Sequence, residues 1–166
     1  WYGAVAYCNF RSQMDGLTPC YSFSDWSCDF NANGYRLPTE AEWEKAARQA
    51  ALNAGTTWRY PFGDAIDSTL ANYDDWPNGG TQAVASYGAT AGLHDMAGNV
   101  WEWCNDWYGS NYYSSAPATD PAGPGAGSLF FRVLRGGSWD LRASYCRVAK
   151  RDGDYTNASN DNYGFR

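Results

Sequence analysis

The sequence predicts an α+β fold that is irregular and rich in loops, with two helices and short antiparallel strands. Aromatic residues make up 17% of the chain, charged residues only 18%, and there are 18 glycines. Rings bury a large area at little cost in side-chain entropy, and glycines permit sharp turns. In addition, Gly, Pro, Asn and Asp interrupt the chain every few residues beyond Gly55, which favours short strands over further helices.

The clearest helical signal begins at Thr39. Thr39 is a suitable N-cap, and Glu42, three residues later, is the partner that a capping box requires. An apolar stripe follows and predicts a helix to about Leu52; its members are Trp43, Ala46, Ala47 and Ala50. A weaker amphipathic pattern, made by Ala4, Val5 and Cys8, predicts a second helix over residues 1–13.

Two apolar runs bounded by turn residues predict strands at 100–103 and 130–134. Alternation along the first run places Val100 and Glu102 on one face and the two indoles of Trp101 and Trp103 on the other. The proline- and glycine-rich segment 114–128 predicts a surface loop. Gly136 and Gly137 predict a bend with positive φ after the second strand.

Five cysteines leave the redox environment open, and none of them has the CxxC spacing of a zinc site. Cys20 and Cys28 flank an alternating run with a turn near Ser24, so a cross-strand disulfide is a reasonable hypothesis. The alternative is that all five are small buried hydrophobic residues. They are Cys8, Cys20, Cys28, Cys104 and Cys146.

Charge and hydropathy exclude two classes of partner. The formal net charge is −6 and no run of Lys and Arg is longer than two residues, so the basic footprint for nucleic acid is missing. No stretch approaches the roughly 18 consecutive apolar residues of a membrane span. The first residues are not a signal peptide and include no initiator Met, so we expect that the N-terminal part has been trimmed.

Several segments together resemble the formylglycine-generating-enzyme (sulfatase-modifying factor) family. They occur in the family's order and span most of the chain, and they cover residues 34–44, 92–103, 132–139, 147–151 and 164–166. The resemblance implies a C-type-lectin-like fold of the formylglycine-generating-enzyme type. It also implies that residues 1–166 form a single domain.

The resemblance carries an expectation about catalysis. The oxidising members are copper enzymes with two active cysteines near the C-terminus, and their positions correspond here to Val148 and Ala143. Copper(I) selects soft thiolate ligands, which neither side chain supplies. Cys146 alone cannot make the two-thiolate site; it either pairs with Cys104 or is a free thiol. His94 is the only histidine, which excludes a histidine cluster for iron.

The resemblance also suggests a calcium site. The family's site uses backbone carbonyls and a glutamate, which correspond here to Ala97, Gly98, Val100 and Glu102. Oxygen ligands of this kind suit a hard cation. We expect that no cofactor is required and that calcium is the one ion the chain could hold.

Residues 132–166 resemble the variable region of diversity-generating retroelement proteins, especially the treponemal variable protein type. In those proteins, adenine mutagenesis of AAC codons scatters residues over a constant frame. Such mutagenesis cannot produce Glu, Gln, Lys, Met or Trp, and between residues 140 and 163 only Lys150 belongs to that set. The predicted ligand-binding residues are Asp140, Leu141, Arg142, Ser144, Tyr145, Asp152, Gly153, Asp154, Tyr155, Asn160, Asp161, Asn162 and Tyr163.

These observations predict a non-catalytic protein that binds a protein or glycan ligand through this exposed patch. Tyrosine, serine, glycine and asparagine are the residues that binding surfaces favour, and Tyr145, Tyr155 and Tyr163 are the expected anchors. We expect an extracellular or cell-surface location, with any lipid anchor outside these residues. The alternatives are a formylglycine-generating-type oxidase, another metal-dependent enzyme of the same fold, and a structural module of a larger protein.

Overall fold

The α+β class is confirmed by a computed structural model, which describes residues 1–74, 79–127 and 129–166. The helices are α1 (Tyr2–Met14), α2 (Glu40–Ala47) and α3 (Gln49–Asn53). The strands are β1 (Trp101–Trp107), β2 (Phe131–Arg135), β3 (Asp152–Tyr155) and β4 (Tyr163–Gly164). The described part of the predicted loop, after a 3₁₀ turn that ends at Ser114, contains no helix or strand; Ser128 lies outside the described residues.

The four strands form one sheet in the order β3-β2-β1-β4. β1 pairs antiparallel with β2, and β2 with β3, as predicted. β4 differs, because it pairs parallel with β1, with Trp101 opposite Tyr163. β3 and β4 lie at opposite edges of the sheet and run in the same direction, so residues 156–162, which connect them, pass from one edge to the other.

The predicted capping box begins α2. The Thr39 hydroxyl accepts the Glu42 amide at 3.2 Å, and the Glu42 carboxylate accepts the Thr39 amide at 2.8 Å. After α2 ends at Ala47, helical structure continues in α3 to Asn53, close to the predicted end. The capping box fixes the direction in which α2 begins. Trp43 therefore enters the core, where it is only 1% exposed.

The sheet separates two hydrophobic cores, as the alternation along β1 predicts. On one face, which we call the indole face, Trp101, Trp103 and Leu134 pack with Val5 and Cys8 of α1. On the opposite face, Cys104 and Val133 pack against Trp43 of α2. Burying both faces makes β1 the centre of the molecule, and every one of its residues except Trp107 is buried.

The predicted glycine bend lies directly after β2. Gly136 and Gly137 have φ values of +93° and +76°. A Cβ atom on Gly137 would lie 2.9 Å from the sulfur of Cys146, so the close approach also requires glycine. The bend therefore fixes Cys146 beneath the end of the sheet, where its side chain is fully buried.

The cysteines are all free thiols, and neither hypothetical disulfide forms. The hairpin exists, but its register pairs Tyr21 with Cys28. Cys20 is therefore opposite Asp29, whose amide donates to the Cys20 carbonyl at 2.8 Å, and the two cysteines are not directly opposed. Cys104 and Cys146 are buried in different hydrophobic clusters, which separates the second pair.

A buried ionic network joins α2 to β2 and to the C-terminal segment. Glu40 is 1% exposed, and its carboxylate accepts the Arg135 guanidinium at 2.6 Å. The same carboxylate accepts two hydrogen bonds from Arg151, at 2.6 and 2.7 Å. The sequence pattern assigned no partner to Glu40. The network adds long-range pairing, because its members are up to 111 residues apart.

The outer edge of β3 is capped by its own side chains. The Phe131 carbonyl faces β1, where it accepts a hydrogen bond from the Tyr108 amide. Tyr155 lies opposite Phe131 in the β2–β3 pair, so its amide and that of Gly153 point away from β2, toward solvent. Asp152 accepts the Gly153 amide at 2.9 Å, and Asp154 accepts the Tyr155 amide at 2.7 Å. These two contacts cover the donors to which another strand would bind.

We predict that Glu40→Gln lowers the free energy of unfolding by about 3–5 kcal/mol, because it leaves the Arg151 guanidinium without a charged partner and leaves the buried Arg135 with Glu44 alone. Urea unfolding followed by tryptophan fluorescence measures this change. Arg11→Gln is the matched control, because its ion pair with Asp15 is exposed. The control should change the free energy by less than about 1 kcal/mol. Equal effects of the two variants would contradict the network's role.

Asp106 gives a prediction about pH. Burial, together with the nearby charge of Glu40, raises the pKa of Asp106 to about 7. The unfolded value is about 3.9, so between about pH 4 and pH 7 the folded state holds a proton that the unfolded state releases. This group's contribution to stability is therefore lost as the pH rises through that range. Asp106→Asn should remove the decline in urea experiments, and an unchanged slope would contradict the assignment.

The capped edge gives a third prediction. Asp152→Ala combined with Asp154→Ala should expose two amide donors and cause self-association that grows with protein concentration, as unprotected edge strands do. Sedimentation velocity measures the associated fraction. Asp161→Ala, an exposed aspartate outside the strands, is the control and should remain unchanged. If the double variant sediments like the parent at every concentration, the aspartates do not protect the edge.

Candidate functional site

Two of the three expected anchor tyrosines cover the indole face. The Tyr145 ring meets Trp101 edge-on at 6.4 Å between ring centroids, and the Tyr163 ring meets Trp103 in the same way at 5.4 Å. Both tyrosines are half-buried and pack against the core. Tyr155 is 54% exposed, which makes it the most exposed of the three, and one edge contact joins its ring to Phe131 at 4.6 Å between ring centroids.

A hydrogen-bonded pair joins the two ends of the predicted patch. Asn162 donates to Asp140 at 3.0 Å, and the Ser138 hydroxyl donates to the same carboxylate at 2.6 Å. Partial burial opposes ionisation of Asp140, but these donors outweigh it and lower its pKa. The Asn162 amide group and the Asp140 carboxylate therefore hold the segments after β2 and before β4 together.

The residues of β3 divide between the two faces of the sheet. Besides its edge contact, Asp152 binds Lys150 at 3.2 Å, and Asp154 accepts the Tyr163 hydroxyl at 2.8 Å. Gly153 lies beneath Tyr108, whose side chain would be 2.9 Å from a Cβ atom at that position. A contiguous strand thus cannot present all four predicted residues to one ligand.

Most of the remaining predicted residues are exposed to solvent. Leu141 is the exception, because it packs against the core of the indole face. The exposed members of the predicted patch are Arg142, Ser144, Tyr155, Asn160 and Asp161. Sequence reasoning placed all of these residues in one patch but could not separate the outward side chains from those that hold the frame.

An open groove of about 510 Å³ runs beside Tyr163. One wall is the first turn of α1, the other is the segment 156–160, and Trp103 lies at the base. The sequence analysis did not predict this groove, although the run Thr-Asn-Ala-Ser-Asn at 156–160 offered a signal through its small polar side chains. Only the fold places that run opposite Tyr2 and Gly3.

The positions that correspond to the family's active cysteines hold no thiol. Val148 is 1% exposed and packs with Trp43, and its amide donates to the carbonyl of Arg59 at 2.9 Å. Cys146 is completely buried, and burial raises its pKa to about 12. Because the thiolate is the form that attacks substrates and binds metals, this cysteine is inert near neutral pH.

Glu102, the one carboxylate among the suggested calcium donors, accepts hydrogen bonds within the protein. Arg166 donates to Glu102 at 2.7 Å, and the Trp43 indole donates to the same carboxylate at 2.6 Å. The Gly98 amide donates to the carbonyl of Gly136 at 2.8 Å, which fixes the backbone that also carries Ala97 and Val100. In the part of the chain that the structure describes, no three His, Cys, Asp or Glu residues converge.

His94 also has a local explanation. Its Nδ1 lies 2.9 Å from the carbonyl of Tyr87, and its own carbonyl accepts Arg166 at 2.9 Å. These contacts are typical of a residue that ties a loop to the C-terminus. Across residues 1–74, 79–127 and 129–166, no helix has the length and apolar character to cross a membrane.

Comparison with known proteins agrees with this architecture. The model of the family described as "Sulfatase-modifying factor enzyme 1-like domain" matches residues 1–166. The chain is 44% identical over 146 residues to serine/threonine-protein kinase pkn1 of Chlamydia caviae, with 82% of this chain and 22% of that protein covered. It is 43% identical over 150 residues to the formylglycine-generating enzyme of Streptomyces coelicolor, with 80% and 46% covered.

Among solved structures, Treponema denticola variable protein 1 superposes with a TM-score of 0.81 at 32% sequence identity. The match covers 99% of this chain and 67% of that one. The chain thus spans less than half of the two curated relatives, 22% and 46%. Both the fold and the resemblance to the variable protein are confirmed. The chain belongs to the sulfatase-modifying factor enzyme 1-like family.

Proposed function

We propose that this domain is a non-catalytic ligand-binding member of its family. The observation that carries the proposal is the buried valine at position 148, where an oxidising member holds an active cysteine. A copper(I) site of two thiolates cannot form from a valine and an alanine. The neighbouring Cys146 does not replace them, because its thiol is buried and stays protonated.

The exposed patch supports a role in recognition. Arg142, Tyr155 and Asp161 project from segments whose backbones are held by β2, β3 and the Asp140–Asn162 pair. A held backbone lowers the entropy cost of binding, because only side chains must be ordered. The outward positions can also differ between alleles without disturbing the core, as a diversified binding surface requires.

The domain acts, under this proposal, on a protein or glycan ligand at a cell surface and needs no cofactor. Its formal charge of −6 favours partners that are neutral or basic. The similarity of fold to Treponema denticola variable protein 1, with a TM-score of 0.81, supports a diversified surface on this frame. Sister alleles of the gene should therefore differ mainly at the outward positions between residues 140 and 163.

The catalytic part of the proposal has a direct test. The domain is incubated with copper(I), oxygen and a cysteine-containing peptide, and mass spectrometry follows conversion to formylglycine. We expect no conversion, whereas the Streptomyces coelicolor enzyme, assayed in parallel, should give product. Conversion that disappears in Cys146→Ala would overturn the proposal.

The binding part is tested with a printed glycan array and a displayed peptide library. We expect a binder whose dissociation constant rises at least about tenfold in the variant Arg142→Ala/Tyr155→Ala, since exposed Arg and Tyr are frequent binding hot spots. Gln49→Ala/Asn53→Ala on α3 is the matched control, and the melting temperature of both variants should stay within a few degrees. A domain that binds nothing on either support contradicts the proposal.

A further inference from the structure

The groove beside Tyr163 combines aromatic rings with neutral hydrogen-bonding side chains. Among the described residues that line it, none has a charged side chain, in a chain with 30 charged side chains. Those that the inference uses are Tyr2, Trp103, Thr156, Asn157, Ser159 and Phe165. A phosphate or a carboxylate would find no charged side chain here to bind it.

The shape of the groove favours a small ligand over a flat protein surface. Its volume of about 510 Å³ is within the range of about 300–1,000 Å³ that is usual for small-molecule sites. A protein partner normally covers about 800 Å² on each side and is recognised by a flat patch with a buried centre. A narrow groove instead suits one or two rings of a larger chain.

The polar wall of the groove is available for binding. The side chains of Thr156, Asn157 and Ser159 make no hydrogen bond within the described chain, and the last two are exposed. This contrasts with Asp140, Asp152 and Asp154, whose carboxylates are used within the protein. Uncommitted amide and hydroxyl groups are suited to the hydroxyl groups of a ligand, because each can donate and accept.

The opposite wall supplies apolar surface. Tyr2 is 36% exposed and Phe165 is 39% exposed, and both residues line the groove. Their rings are steadied by aromatic contacts with Trp26 and Tyr7, respectively. A sugar ring has an apolar face of C–H groups and an edge of hydroxyl groups, so it needs an aromatic surface on one side and hydrogen-bonding groups on the other. The two walls offer these two surfaces.

We propose that this groove binds an uncharged sugar residue of a glycan. Tyr2 and Phe165 contact the C–H face of the sugar, while Asn157 and Ser159 bind its hydroxyl groups. This inference rests on the proposed ligand-binding function and assigns the ligand class and its subsite. The exposed patch around Arg142 and Tyr155 then contacts the neighbouring part of the same ligand.

The test uses an array that carries each glycan core in a neutral and in a sialylated or sulfated form. The domain should bind neutral forms at least as well as charged ones, and the neutral disaccharide of the strongest hit is then titrated by calorimetry. Asn157→Ala/Ser159→Ala should raise its dissociation constant about tenfold, since each removes a hydrogen-bonding group. Asn111→Ala/Ser115→Ala, on another exposed loop, should leave the constant unchanged.

The outcomes separate this inference from the proposed function. Binding of peptides or charged glycans only, through Arg142 and Tyr155, would overturn the sugar groove and leave the proposed function intact. Neutral-sugar binding that is insensitive to Asn157→Ala/Ser159→Ala would also overturn the groove. If the parent domain binds neither glycans nor peptides, both the sugar groove and the proposed function are contradicted. A variant that binds weakly but melts at the parent's temperature has not lost binding through unfolding.

Discussion

Alternation along β1 is the constraint on which the rest of the structure depends. The strand lies between two cores, so Trp101 and Trp103 face α1 while Glu102 and Cys104 face α2. A shift of one residue would exchange these sets and place a carboxylate under the indole face. The flanking strands β2 and β4 take their register from β1. This register also places Tyr163 on the tyrosine-covered surface above the indoles.

The same frame accounts for the relation between this chain and its enzymatic relatives. The chain shares 43% of its residues over 150 positions with the formylglycine-generating enzyme of Streptomyces coelicolor. The reaction of the oxidising relatives depends on far fewer atoms than the fold does. At positions 143 and 148 an alanine and a valine stand where two thiols would be needed, and Val148 has become part of a hydrophobic core. One fold can therefore carry different side chains at the positions on which a reaction would depend.

The C-terminal segment serves two purposes at once. Asp152, Asp154 and Asn162 use their side chains to cap an edge and join segments, whereas Arg142 and Asp161 are left to solvent. The residue types are alike in both groups, which is why sequence reasoning assigned all of them to ligand binding. If the region is diversified, substitutions at the first group should carry a cost in stability or solubility that the second group avoids.

The sequence by itself determined the class of fold, the α2 capping box, the alternation of β1 and the glycine bend, because each follows from neighbours a few residues apart. Its segments also identified the family. Only the tertiary structure decided that Cys20 and Cys28 lie out of register, that Glu40 pairs with Arg135 and Arg151, and that β4 runs parallel to β1. The groove between α1 and residues 156–160 was likewise decided there, because its walls lie more than 150 residues apart in the chain, beyond the reach of local pattern.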